Sequence, residues 1–250
     1  MKKIKVGIVN YLNTAPLIYG LKNSSIIDSI ELIPDYPSNL ANYLVDESID
    51  IGLVPVAVIP QLDQWWLVSD YCIGCNGPVA SVGIFSDVPL PQADRILLDY
   101  QSRTSVELAK WLISDFWKLD VPLVEADENY QDQISGATAG LVIGDRSFKQ
   151  KKVSKYVYDL GEAWKLFTGL PFVFAAWVSN KPMTADFIDS FNQANASGIN
   201  NISKVISSLD LDIDVDLEEY FKKYISYELD SDKRKALRMF LQHLKKDIIV

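Results

Sequence analysis

Four consecutive residues, Ser102-Arg103-Thr104-Ser105, carry the densest chemistry in this 250-residue chain. They follow the apolar run "RILLDYQ" and open "VELAKWLISDFWK", whose apolar spacing is helical. Three hydroxyls at a helix start stand beside backbone N–H groups that lack helical partners, a setting that favours a bound anion. Arg103 adds a planar fork that can hold a carboxylate through two parallel bonds, or face solvent. Thr104 with Glu107 also fits a capping box, so the segment serves a helix start and an anion equally well. A second group, Asn13-Thr14, ends the apolar run of residues 4–9, just before "APLIYGLKN"; it reads as a cap or as the wall of a pocket. Other apolar runs also finish on small, polar or turn residues: Val54-Pro55 in "GLVP", Ser81 in "PVASVG", Gly144-Asp145 in "LVIGD" and Thr168-Gly169 before "LPFVFAAWVSN".

Elements must bring these residues together. "KIKVGIVNYL", "SIELIPDYP" and "IDIGLVPVAVI" read as strands alternating with the helices "APLIYGLKN" and "SNLANYLVDES", the latter with Ser38 as its cap after Pro37. This βαβαβ rhythm predicts a parallel, doubly wound sheet. Two extended segments, "WWLVSDYCIG" and "PVASVGIFS", lead past the proline-rich "DVPLPQAD" into a second αβ series. There "RILLDYQ", "VPLVEAD" and "AGLVIGD" read as strands, and "NYQDQISGA" and "GEAWKLFTG" as helices. From Thr184 onward the spacing is helical, through "DLEEYFKKYISYEL" and "DKRKALRMFLQHLKK". The expected architecture is α/β with two lobes, residues 1–86 with 178–250 and an inserted 87–177. Each lobe would be a mostly parallel sheet flanked by helices, with a ligand cleft between them at the carboxyl ends of the strands.

Composition narrows the function. A formal charge of -9 argues against nucleic-acid binding, which needs a basic stripe, and against an anionic membrane surface. "MKKIKVGIVNYLN" has a basic start but a short, asparagine-broken apolar stretch and no cleavage site, so a soluble cytoplasmic protein is expected. The single histidine, His243, lies in a charged C-terminal segment and reads as part of a solvated face. Neither a Ser-His-Asp triad nor a Cys-His pair can be drawn, and Cys72 and Cys75 lack further zinc ligands, so they read as reduced structural thiols. No phosphate-binding glycine pattern and no metal-ligand cluster appears. The residues alone describe a cleft of hydroxyl, amide and N–H donors suited to a small carboxylate, which either binds it or transforms it. Oligomeric state leaves no trace in the sequence.

"YLNTAPL", "DIGLVPVAVI", "NGPVASVGIFS", "LDYQSRTSVELAKWL", "GLVIGDRS" and "DLGEAWKLFTGLPFVFAAW" occur in that order over about residues 5–180. Together they resemble the chorismate dehydratase family of the futalosine route to menaquinone. The resemblance implies a type 2 periplasmic-binding-protein-like fold. It also implies a cofactor-free loss of water from chorismate to give 3-(1-carboxyvinyloxy)benzoate. The family's functional asparagine, in its strand-end "LN" motif, falls on Asn13, and its functional serine, in "GPV-x-S", falls on Ser81. The base is left open between Asp145 and the substrate's own side-chain carboxylate. The rival readings are a non-catalytic small-carboxylate binding protein of the same fold and the related dihydroxynaphthoate synthase. The second depends on a cleft histidine, which His243 does not supply.

Overall fold

In the computed structural model of the chain, residues 3–209 and 214–246 are described. Strand β1 (Ile4–Ile8) passes through a 3₁₀ turn, Leu12–Thr14, into helix α1 (Ala15–Lys22), with proline in its first turn where no N–H is needed. Strand β2 (Ile30–Pro34), helix α2 (Pro37–Val45) and strand β3 (Ile51–Pro55) complete the expected alternation. β1 pairs parallel with both neighbours, Val6 lying between Leu32 and Ile51. Helix α2 begins at Pro37 with Tyr36 as its cap residue, so Ser38 lies inside the helix: proline's fixed φ suits the first helical position.

The long strand β4 (Trp66–Cys75) leads to β5 (Val82–Ser86), β6 (Arg95–Leu98) and helix α3 (Arg103–Trp111), which runs on through a π turn, Leu112–Phe116. Next come β7 (Leu123–Glu125), β8 (Thr138–Ile143), helix α4 (Arg146–Val153), β9 (Tyr156–Asp159) and helix α5 (Leu160–Thr168). The chain then returns through β10 (Phe172–Ser179) to helices α6 (Ala185–Ile199) and α7 (Ile202–Ser208). Helix α8 (Leu217–Glu219) opens into a π turn, Tyr220–Tyr224, followed by strand β11 (Ser226–Glu228) and helix α9 (Ser231–Lys246).

Two sheets result, one ordered β11-β4-β10-β3-β1-β2 and the other β7-β6-β8-β5-β9. Both are mixed rather than mostly parallel. The βαβ units supply the parallel pairs, whereas β10 runs antiparallel to β3 and β4, and β5 antiparallel to β8 and β9. A strand that enters one sheet directly from the other needs no helical crossover, so it can pair antiparallel. β5 already belongs to the second sheet and β10 to the first, so the chain crosses before residue 82 and again before residue 172.

Three short elements differ from the sequence reading. "NYQDQISGA" forms only a 3₁₀ turn, Tyr130–Gln133, because Asn129 and Gly136 take left-handed backbone on either side. "SYEL" is not helical: β11 adds an edge strand to β4 there. β9, a four-residue strand following a lysine-rich helix, is too short for its period to show in the sequence.

Packing rests on large buried rings, among them Trp164, Trp177, Phe172 and Phe240. His243 is not on a solvated face, because its ring stacks on Trp111 with centroids 3.7 Å apart and planes 2° from parallel. Cys72 and Cys75 are buried and unpaired, and burial pushes both thiols up, Cys72 to about 12. Helices α1 and α6 meet backbone to backbone: a methyl on Gly20 would lie 1.9 Å from the Ala194 carbonyl oxygen, and one on Gly198 1.8 Å from that of Pro16. Among the described residues no helix is long and apolar enough to cross a membrane.

A candidate active-site cleft between the lobes

The carboxyl ends of β1 and β3 and the start of α3 converge on one narrow cleft. The first lobe supplies Tyr11, Asn13, Thr14, Leu53, Pro55 and Phe174 to its wall. The second supplies Gln101, Ser102, Thr104, Ser105, Ile143 and Gly144. Strand alternation explains why Val54, although expected here, is absent: Leu53 and Pro55 face the cleft, so Val54 points into the opposite layer, where it is fully buried.

Asn13 sits in the 3₁₀ turn and caps nothing, since neither that turn nor α1 receives a side-chain cap bond. Its Oδ1 is buried without a hydrogen-bond partner, while its backbone carbonyl accepts from the Tyr227 hydroxyl at 2.9 Å. Thr14 Oγ1 lies 2.6 Å from the Val9 carbonyl oxygen and 2.7 Å from that of Tyr11, so this hydroxyl shapes the turn. At the facing helix start, Ser102 Oγ accepts the Ser105 N–H at 3.1 Å, which makes Ser102 the cap. The Thr104–Glu107 capping box does not form: Glu107 pairs with Lys110 at 2.9 Å, and Thr104 Oγ1 accepts the Ala57 N–H of the other lobe at 3.2 Å.

Ser81 lies one layer behind the surface of the cleft. It is fully buried, and its neighbours Val79 and Val82 form the lining. Its Oγ accepts from the Tyr220 hydroxyl at 2.8 Å, and its carbonyl accepts the Gly144 N–H at 2.8 Å. That bond ties the serine to the turn at Gly144, whose φ of +62° suits glycine. Asp145 occupies the cap position of α4 but makes no side-chain cap bond, and its Oδ1 is buried without a partner. Burial pushes its carboxyl above the usual carboxylate range, against the pull of the Leu12 N–H and of Arg146. It faces a separate hollow with Asn10, Ile18 and Val205, not the cleft.

Three other expected residues also lie elsewhere. Arg103 turns outward to Gln61, donating to its Oε1 at 3.1 Å, and lines a neighbouring groove. Thr168 bonds the Trp164 carbonyl and, with Gly169 at φ +73°, simply ends α5. Conversely, Tyr11 and Gln101 were missed, although each stands within two residues of a singled-out position at a strand end. The Tyr11 hydroxyl donates to Gln101 Oε1 at 3.1 Å and so links the two lobes. Gln101 Oε1 also accepts from Arg146 Nη2 at 3.2 Å, and Arg146 pairs with the buried Asp99 at 2.6 Å. Tyr130 donates to the same Asp99 oxygen at 2.8 Å.

Among the described residues, Tyr11 is the only ionisable side chain lining the cleft. Burial, followed by the Asp99 charge, pushes its phenol up to about 12, so it stays protonated near neutral pH. The cleft therefore offers hydroxyls, amides and the N-terminal end of a helix, a set that holds anions and contains no base. No group of three or more His, Cys, Asp or Glu side chains gathers for a metal ion among the described residues.

Comparison with known proteins identifies the lineage. A family model described as "Menaquinone biosynthesis" matches residues 4–246. The chain belongs to the menaquinone biosynthesis family. The chain is similar to the chorismate dehydratase of Thermus thermophilus, 25% identical over 98% of this chain and 96% of that one, and to the chorismate dehydratase of Campylobacter jejuni, 26% identical over 96% of each. A Candida albicans protein described as having the generic periplasmic binding protein fold superposes with a TM-score of 0.64 at 14% identity, covering 98% of this chain and 91% of that one. This menaquinone biosynthesis family member thus has the two-lobed periplasmic-binding-protein-like fold expected from its sequence.

Proposed function

We propose that the protein eliminates water from chorismate to form 3-(1-carboxyvinyloxy)benzoate; its Thermus and Campylobacter relatives are named chorismate dehydratase. One observation carries the reading: the cleft is built of neutral polar groups around an unpartnered Asn13 oxygen and, among the described residues, is lined by no side chain able to act as a base near neutral pH. Such a site suits a substrate that brings its own base. Chorismate has a carboxylate on its enolpyruvyl side chain and another on the ring.

The hydrogen to be removed is conjugated through a ring alkene to the ring carboxylate, so negative charge spreads onto that group as the proton leaves. Donors fixed around it lower the barrier because they are in place before the charge develops. In this reading the α3 start, Ser102 to Ser105, holds one carboxylate. Asn13 orients the reacting face, and Ser81, one layer behind, holds the Val79 to Val82 wall against which the departing hydroxyl lies. Holding a single conformer selects elimination over rearrangement. The side-chain carboxylate takes the ring proton and passes it to the departing ring hydroxyl, which leaves as water, and the product gains aromaticity. Asp145 faces another hollow and is given no part.

The test is to incubate the protein with chorismate at neutral pH and follow the products by chromatography and mass. A benzoate lighter than the substrate by one water supports the proposal. Unchanged chorismate with saturable binding would leave a non-catalytic carboxylate-binding protein. Asp145→Asn should keep normal turnover; a large loss would transfer the base to Asp145.

A further inference from the structure

The crossing loop before β5 is held by a carboxylate that the site does not otherwise use. Asp159 ends β9 and caps α5, its Oδ1 accepting the Gly161 N–H at 2.9 Å and the Glu162 N–H at 3.0 Å. Its Oδ2 faces the other way and accepts the Ala80 N–H at 2.8 Å and the Val79 N–H at 3.0 Å; the Val79 N–H also lies 3.1 Å from Oδ1. Oδ2 thus serves the loop alone, while Oδ1 serves the helix start and shares the Val79 N–H.

Ala80 has a φ of +63°, a left-handed conformation that a residue with a Cβ adopts only under constraint. Val79 on one side lines the cleft, and Ser81 on the other carries the hydroxyl under Tyr220. Contact between the helix start and the loop is close: a methyl on Gly161 would lie 2.5 Å from the Gly77 carbonyl oxygen and 2.6 Å from Cys75 Sγ. A loop in this state needs acceptors for two adjacent N–H groups, and a single carboxylate oxygen supplies them.

We propose that Asp159 is a positioning residue for the reaction: by holding the Val79 and Ala80 N–H groups it keeps Ala80 left-handed, Val79 against the cleft and Ser81 in register with Tyr220. The inference extends the dehydratase reading, since its effect on turnover rests on Ser81 and Val79 belonging to that site.

Asp159→Asn separates the two duties. Asparagine caps a helix as well as aspartate does, but with its oxygen on α5 its N–H₂ faces two further donors on the loop. The expected result is a turnover number lowered by about tenfold or more, with KM changed far less, since misplaced groups slow the chemical step. Site-resolved amide exchange should show Val79 and Ala80 losing protection while Gly161 and Glu162 keep theirs. Asp159→Ser, with one capping oxygen and no repelling group, should give the same exchange pattern. Unchanged protection at Val79 and Ala80 would reduce Asp159 to a helix cap and overturn the proposal, as would equal loss at all four amides, which reports a general loosening rather than a released loop. If the unaltered protein leaves chorismate intact, the dehydratase reading falls, while the exchange pattern still decides the clamp.

Discussion

An amide oxygen buried without a partner costs a fold about 1–3 kcal/mol, and Asn13 Oδ1 is such an atom at the mouth of α1. Replacing it by an apolar side chain of similar size removes that cost together with the polar group the substrate would meet. Asn13→Leu should therefore unfold in urea at an equal or higher concentration while losing about a hundredfold or more in turnover. A variant that loses stability and keeps its rate would make Asn13 a structural residue. Tyr220 offers the complementary case. Its hydroxyl donates to Ser81 Oγ, which directs the serine's own proton elsewhere. Tyr220→Phe should cost about 1 kcal/mol of stability, read by urea unfolding, and should lower turnover more than affinity. Residue types marked Asn13, Ser102 and Thr104 as candidates, because an amide or hydroxyl at a strand end or helix start is visible in one dimension. The outward turn of Arg103 and the apolar direction of Val54 were not visible, because both depend on what packs beside them.

At the scale of elements, α1 and α6 show how context reverses a propensity. Alanine is favoured over glycine inside an exposed helix by about 1 kcal/mol. Gly20 sits where the two helix backbones touch, and a methyl would lie 1.9 Å from the Ala194 carbonyl oxygen. Gly20→Ala should instead destabilise by about 1–3 kcal/mol as the helices move apart, seen as a lowered melting temperature. An unchanged or raised melting temperature would mean that the contact yields without strain. The long periodic segments α3, α5, α6 and α9 were legible in the sequence because their apolar spacing repeats over several turns. The strands β9 and β11 were not, since four and three residues hold too little repetition and their pairing is entirely tertiary.

The whole molecule carries its titration behaviour in its core. Burial raises the Cys72 thiol from 9.0 to about 12 and the Tyr11 phenol from 10.0 to about 12, and it also raises Cys75, Tyr220 and Tyr227. Above pH 9 the unfolded chain releases these protons while the native protein still holds them. The native state then binds more protons, so stability falls as pH rises. The unfolding free energy should be insensitive to these groups below pH 9 and decline as pH rises toward 12. Cys72→Ala should make that decline shallower; an unchanged slope would show that the thiol does not ionise on unfolding. The lobes share this core and are also linked across the cleft by Tyr11 to Gln101 and Thr104 to Ala57.

Local chemistry settled what the chain by itself could settle. The alternation of apolar runs, the proline entering α1 and the polar residues at strand ends specify two α/β units and a donor-rich cleft, since each tendency depends on residues within one or two turns. Only the tertiary structure decided which of those residues meet. Tyr11 reaches Gln101, 90 positions away, Ser81 reaches Tyr220, 139 positions away, and Asp145 and Thr168 are carried off to other surfaces. A side chain's direction is set by the packing of the element that bears it, and that packing exists only once both sheets and the helices between them have closed on a common core.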